Sequence, residues 1–176
     1  MKFLPTPLSG AYVIEPRRFP DDRGFFTRTW SRKEFLDHGC AADLHECNVS
    51  FNHRAGTLRG MHFQAAPHAQ PKLVRCTMGA IWDAVIDLRP DSPTFKQWFG
   101  AELTADNRRQ LYVPDGFAHG FITLADATEV SYHMGNVYDA AASRGVRWDD
   151  PAFAIRWPRD VSVIIERDAT YPDFTA

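Results

Sequence analysis

The stretch Ile81-Trp-Asp-Ala-Val-Ile-Asp-Leu88 decides the fold class. Trp82, Ala84, Ile86 and Leu88 fall on one face of an extended chain, and Ile81, Asp83, Val85 and Asp87 on the other. A period of two belongs to a strand, not a helix. Gly79 precedes the run, and Pro90 and Pro93 follow it, so it is bounded at strand length. Runs of similar length recur outward from it: Leu58–Gln64 and Lys72–Met78 before, Phe95–Leu103, Leu111–Val113, Gly120–Leu124 and Val130–Met134 after, and an aromatic, Thr-rich run at Gly24–Trp30. Helical signals are sparse. Ser31-Arg-Lys-Glu34 reads as a capping box, Phe35 and Leu36 follow, and Gly39 suits the position after a helix C-terminus. This predicts a helix over Arg32–His38. Many short strands with few helices predict an all-β sandwich or barrel.

Composition bounds the rest. The chain has 176 residues, 44% hydrophobic and 24% charged, with a formal net charge of -2. That balance predicts a single globular domain over residues 1–176. A near-neutral chain has no global basic field for nucleic acid or an anionic membrane, although a local anion pocket stays open. Cys40, Cys47 and Cys76 are odd in number and show no CxxC spacing, which argues against a disulfide framework or a zinc knuckle. Pro5 and Pro7 interrupt the N-terminal stretch where a signal peptide needs an apolar core, and no apolar run approaches the ~18 residues of a membrane span. A reduced, cytoplasmic setting is expected.

Four segments concentrate polar side chains within strand-like sequence: Arg59-Gly-Met-His62-Phe-Gln64, Gln70-Pro-Lys72-Leu-Val-Arg75, Pro114-Asp-Gly-Phe-Ala-His119-Gly-Phe121, and Val130-Ser-Tyr132-His133 with Tyr138 beyond it. In the first, strict alternation sets Gly60, His62 and Gln64 against Arg59, Met61 and Phe63, unless Gly60 permits a bulge. Each residue taken singly is more often structural than functional. Together, His, Lys, Arg and Tyr from several strands of one small barrel would be costly to bury unless they served a ligand. Sequence patterns for a nucleophile elbow, a phosphate-binding loop or a dinucleotide fold are absent. His62 is followed by Phe63 and Gln64, not by a second histidine, which argues against a cupin metal site. What remains is acid–base chemistry by His and Tyr, with Lys and Arg to hold negative charge.

These segments resemble the dTDP-4-dehydrorhamnose 3,5-epimerase family. The matching pieces run in family order from about Arg17 to Asp168. They include Asp22-Arg-Gly-Phe-Phe26, Leu58-Arg-Gly-Met-His-Phe-Gln64, Gln70 with Lys72-Leu-Val-Arg-Cys76, Asp87-Leu-Arg89, Gly116-Phe-Ala-His-Gly-Phe121, Tyr132, Tyr138, Trp148-Asp-Asp-Pro151 and Arg167-Asp168. The resemblance implies a cupin-type jelly-roll barrel with one or two short helices, a homodimer, and neither metal nor organic cofactor. It implies as substrate a nucleoside-diphosphate 4-keto-6-deoxyhexose, on the route to dTDP-rhamnose. The 4-keto group acidifies the C–H bonds at C3 and C5, so a base can form an enolate and an acid can return the proton to the other face. On this resemblance His62 is the base, Tyr132 the proton donor and Lys72 the stabiliser of the enolate oxygen. Asp168 orients His62, with Asp83 as a second candidate. Arg23, Asn48, Arg59, His119, Glu46, Arg28 and Arg167 match substrate-binding positions, and Tyr138 matches the residue that stacks on the base.

The chain departs from the family pattern at Glu46, where many members carry Gln, and at Arg28 and Ser143, where they carry Glu. The stretch from Asn48 to Arg59 is one residue longer than usual. These departures concern substrate contacts, so the proton-transfer chemistry is the firmer expectation, and nucleoside identity and double against single epimerisation the open ones. The alternatives are a 3- or 5-mono-epimerase, a metal-dependent cupin enzyme and a silent sugar-nucleotide-binding module.

Overall fold

The computed structural model describes residues 1–175. β-Branched and aromatic side chains suit a pleated surface, and they recur along most of the strands. The strands in chain order are β1 (Lys2–Pro5), β2 (Tyr12–Glu15), β3 (Arg18–Asp21), β4 (Gly24–Thr27), β5 (Glu46–Asn52), β6 (Leu58–Gln64), β7 (Lys72–Met78), β8 (Ala80–Asp87), β9 (Trp98–Thr104), β10 (Gln110–Val113), β11 (Phe117–Thr123), β12 (Thr128–Met134) and β13 (Ser143–Gly145). The short helices are α1 (Arg32–Asp37) and α2 (Glu166–Ala169). None of the described helices is long and apolar enough to cross a membrane.

One sheet runs β1-β2-β10-β7-β12-β5 and the other β13-β6-β11-β8-β9. From β5 to β12 the chain passes back and forth between them, leaving only the β8–β9 hairpin within one sheet. The orders β5-β12-β7-β10 and β6-β11-β8-β9 are those of a jelly roll. The sheets face each other without closing into a continuous barrel. A third pair, β3–β4, forms a hairpin that joins neither sheet.

The alternation in Ile81–Leu88 is realised, but both faces are buried. Ile81 and Val85 point between the sheets, where they pack with Val74, Leu103, Leu111, Phe121 and Val130. Ala84 and Ile86 point outward under a C-terminal covering that includes Phe153 and Trp157, with Trp82 and Leu88 beside them. On the outside of the other sheet, α1 lays Phe35 against Ile14, Leu73 and Tyr112. The capping box is not formed: Ser31 makes no side-chain cap bond. Glu34 turns instead to the Met1 amino group and toward Arg28. Gly39 does close the helix, in the left-handed region at φ +71°.

Candidate active site

A cavity of about 440 Å³ opens between the sheets, within the ordinary range for small-molecule sites. Both sheets contribute polar walls. Asn48 and Ser50 come from β5, Lys72 from β7 and Tyr132 from β12; Arg59 and His62 come from β6 and His119 from β11. Arg167 and Asp168 of α2 close one side.

A bulge in β6 builds the His62 wall. His119 pairs with His62, and Phe121 with Arg59, so two residues, Gly60 and Met61, face the single Gly120. The extra residue turns Arg59 and His62, three positions apart, into the same cavity, while Met61 and Phe63 pack on the outer face. Gly60 sits at φ +142°, and a Cβ there would lie 2.5 Å from the Gly120 Cα, so the strands approach only because both residues lack side chains. Of the two readings of this strand, the bulge is the one realised.

Asp168 orients His62. Its Oδ1 lies 2.8 Å from His62 Nε2, and its Oδ2 accepts the Gly60 amide at 3.1 Å. Asp168 is almost fully buried, and burial opposes its ionisation. The bonds from His62, Gly60 and Arg167 outweigh burial and hold its pKa below the usual value. Arg167 also brings an amino group 3.3 Å from Nε2. The shorter distance and full negative charge on Asp168 assign the Nε2 proton as its donor. The opposite ring nitrogen, Nδ1, has no hydrogen bond among the described residues and is free to take a proton.

Asp83, the second candidate for that role, bonds elsewhere: its Oδ1 lies 2.7 Å from His119 Nε2. Both groups are buried. Burial pushes the His119 pKa down, and the Asp83 charge offsets part of that. Lys72 reaches across from the opposite sheet to donate to the His62 carbonyl at 3.2 Å. Burial pulls its ammonium down to about 8, against the opposing pull of Asp83. The Tyr132 hydroxyl lies 2.9 Å from Ser50 Oγ. Burial, only partly offset by Ser50, raises this phenol above its ordinary range, so it stays protonated at neutral pH. The arrangement can therefore take a proton on one wall, return one from the other, and hold negative charge between them.

The remaining sequence-predicted residues divide. Asn48, Arg59, His119 and Arg167 line the cavity. Tyr138 borders an adjoining recess of about 180 Å³ with Gln64, Gln70 and Arg167. Glu46 bonds to the Tyr138 amide at 3.0 Å. Arg23 and Arg28 are not brought in: Arg23 is exposed on the β3–β4 turn, paired with Asp21, and Arg28 lies beside Glu34 at the N-terminal end. Sequence reasoning missed Ser50, and Asn52, whose Oδ1 accepts from Arg59 Nε at 2.7 Å. The signal was there: Asn48, Ser50 and Asn52 alternate along β5. Among the described residues, no three His, Cys, Asp or Glu side chains converge as metal ligands.

Comparison with known proteins points the same way. A family model described as dTDP-4-dehydrorhamnose 3,5-epimerase matches residues 5–176. The chain is 44% identical over 177 residues to the dTDP-4-dehydrorhamnose 3,5-epimerase of Sinorhizobium fredii, covering 98% of this chain and 89% of the relative. It is 36% identical to a dTDP-4-dehydrorhamnose 3-epimerase of Streptomyces niveus, covering 96% and 81%. The fold superposes with a TM-score of 0.94 and 46% identity on the Bacillus anthracis dTDP-4-dehydrorhamnose 3,5-epimerase crystallised with TDP and PPi, covering 98% of this chain and 99% of that one. With a jelly roll whose cavity sets a carboxylate-held histidine against a partly buried tyrosine and a buried lysine, and with this likeness along its length, the chain belongs to the dTDP-4-dehydrorhamnose 3,5-epimerase family.

Proposed function

We propose that the protein inverts C3 and C5 of dTDP-4-dehydro-6-deoxyglucose to give dTDP-4-dehydrorhamnose. The observation that carries this reading is the placement of His62 and Tyr132 on opposite sheets across one cavity, with Lys72 reaching from the tyrosine's sheet to the His62 carbonyl. His62 Nδ1 takes the proton from C3 or C5, and the C–H electrons move into the C4 carbonyl to form an enolate. Lys72, as the cation, holds the developing charge on the C4 oxygen. Tyr132 gives its hydroxyl proton to the opposite face, and the C=O bond re-forms. Exchange with water then restores the phenol and the neutral imidazole, so the cycle balances without an oxidant or cofactor. Asp168 keeps the Nε2 proton in place and steadies the imidazolium. Arg59, Asn48, His119 and Arg167 are the substrate contacts within the chain, and Tyr138 stacks on the base. One cytoplasmic domain over residues 1–176 performs the reaction.

The same reading includes a homodimer. The unattached β3–β4 hairpin exposes Phe19, Phe25 and Phe26, and β5 is an edge strand that exposes Val49 and Phe51. An unpaired edge invites another strand. A second copy's hairpin laid along that edge would carry Arg23 and Arg28 toward the neighbouring cavity. Light scattering on the eluting protein should give twice the chain mass, and a monomer overturns this part of the reading.

The test of the activity is solvent deuterium incorporation with dTDP-, GDP- and CDP-linked 4-keto-6-deoxy sugars. Label at both C3 and C5 of the dTDP sugar is expected. Label at one carbon alone would make the protein a mono-epimerase, and no label would sink the reading.

A further inference from the structure

The segment that carries Tyr138 lies between β12 and β13 and pairs with no strand of either sheet. Unpaired backbone of this kind is ordinarily the mobile part of a fold. Here the backbone of every residue from Gly135 to Asp139 is caught by a specific partner. Gly135 N–H donates to the Pro71 carbonyl at 2.8 Å. The Asn136 carbonyl accepts from Gln70 Nε2 at 2.7 Å, and Asn136 Nδ2 donates to the Ala69 carbonyl at 3.2 Å. Val137 N–H donates to its neighbour's Oδ1 at 2.9 Å. Gln64 spans the next turn: Nε2 donates to the Val137 carbonyl at 3.2 Å, and Oε1 accepts the Asp139 amide at 2.7 Å. Tyr138 N–H donates to Glu46 Oε1 at 3.0 Å.

Gln64 and Gln70 are buried, whereas Tyr138 is 58% exposed and Val137 is 52% exposed. The anchors are thus inside and the ring they hold is outside. The conformation of Tyr138 is set by its backbone, because its own side chain has little around it to fix it. Gln64 Nε2 also donates to the His68 carbonyl at 2.7 Å, which ties the same loop to the segment before β7.

We propose that Glu46, Gln64 and Gln70 are positioning residues that act through Tyr138. They hold its ring as a fixed wall at the nucleoside end of the cavity, so that binding energy is not spent on ordering the loop. Glu46 then works by accepting the Tyr138 amide and not as a charge presented to the nucleotide. Glutamine can accept the same bond, so the departure from the family's usual residue at position 46 leaves this role intact. The proposal rests on the reading of Tyr138 as the residue that stacks on the base.

The experiment is calorimetric titration with dTDP of Glu46→Leu, Glu46→Gln and Gln70→Met, each alone and combined with Tyr138→Ala, alongside steady-state kinetics. Glu46→Leu and Gln70→Met should each weaken dTDP about five- to tenfold and raise KM by as much, with kcat falling less than threefold. Glu46→Gln should recover most of that loss. In the Tyr138→Ala background the same substitutions should cost less than twofold further, because their effect passes through the ring already removed. Amide hydrogen exchange at Val137, Tyr138 and Asp139 should quicken in both single variants. If Gln70→Met fails to fold, Glu46→Leu, at a partly exposed strand end, carries the test. A Glu46→Leu loss that persists in full without Tyr138 would make Glu46 a direct substrate contact and overturn the proposal. So would faster exchange with unmoved affinity. If Tyr138→Ala itself leaves dTDP affinity unmoved, the reading of Tyr138 falls first and the proposal with it.

Discussion

Replacing Asp168 with Asn isolates the orientation of the base. The side chains are the same size, so the cost comes from hydrogen-bond bookkeeping alone. Asp168 accepts three times: at Oδ1 from His62 Nε2 at 2.8 Å and from Arg167 Nε at 3.3 Å, and at Oδ2 from the Gly60 amide at 3.1 Å. Asn has one accepting oxygen and one donating amide. If the oxygen serves Gly60, the amide faces His62 Nε2, which must then accept. The ring proton moves to Nδ1, the nitrogen that has to take the substrate proton, and the base is lost. If the oxygen serves His62, the amide faces the buried Gly60 N–H. Leaving that buried donor unsatisfied costs about 1–3 kcal/mol, more than the first arrangement loses at the half-exposed Arg167 guanidinium, whose Nε can turn to water, so the first arrangement is favoured. Even the productive arrangement loses the charge that steadies the imidazolium, a bond of about 1.5–3 kcal/mol. In a His–Asp pair of this type the combined effect on kcat is about 10³–10⁴, or roughly 4–5.5 kcal/mol at 1.36 kcal/mol per decade. The assay is the deuterium exchange rate at C3 and C5 in D₂O, followed by NMR at saturating substrate. Both positions should slow together, since one base serves both. A variant that keeps more than a tenth of the wild-type exchange rate would refute the assignment of Asp168 to this task.

Burial leaves Lys72 charged below about 8 and neutral above it, so kcat should fall as pH rises through 8. A rate flat to pH 10 would remove Lys72 from the oxyanion role. Tyr132→Phe should cut net epimerisation more than deuterium wash-in, because abstraction at His62 survives while reprotonation from the far wall does not; equal losses would count against the donor role. Asp87 is a stability prediction. Its carboxyl is fully buried, which opposes ionisation, but the Arg89 fork with Ser92 and Thr94 holds it at about 2 against an ordinary 3.8. A lowered carboxyl pKa stabilises the fold above the unfolded value and loses that contribution as pH falls toward 2. The contribution is about 2 kcal/mol at 1.36 kcal/mol per unit. Denaturant titrations at pH 7 and pH 2 should show Asp87→Asn flattening the difference between them, and an unaltered difference would refute the account.

The legible parts of the fold were those with alternating apolar side chains. Leu58–Gln64 and Lys72–Met78 coincide with β6 and β7, and the Ile81–Leu88 run with β8 to within one residue. β5 escaped because its inward face is Asn48, Ser50 and Asn52. Polar residues facing a ligand cavity look like loop when read along the chain, since the apolar signal of a strand depends on an apolar interior. β1, β2, β3 and β13 are only three or four residues long, too short for a period to register. The capping box at Ser31 and Glu34 was outcompeted by a tertiary partner, the Met1 amino group.

By itself, the sequence determined an all-β class and, through the matching motifs, the family. These are local properties: period, punctuation and side-chain type are written along the chain. The tertiary structure alone decided which carboxylate serves which histidine. Asp168 lies 106 positions from His62 and Asp83 lies 36 positions from His119, and no periodicity connects such distant groups. It also decided that Arg59 and His62 share a wall, because the bulge at Gly60 is set by the close approach of β11 and not by β6 alone. Hydrogen-bond partners are chosen in space, after the sheets have packed.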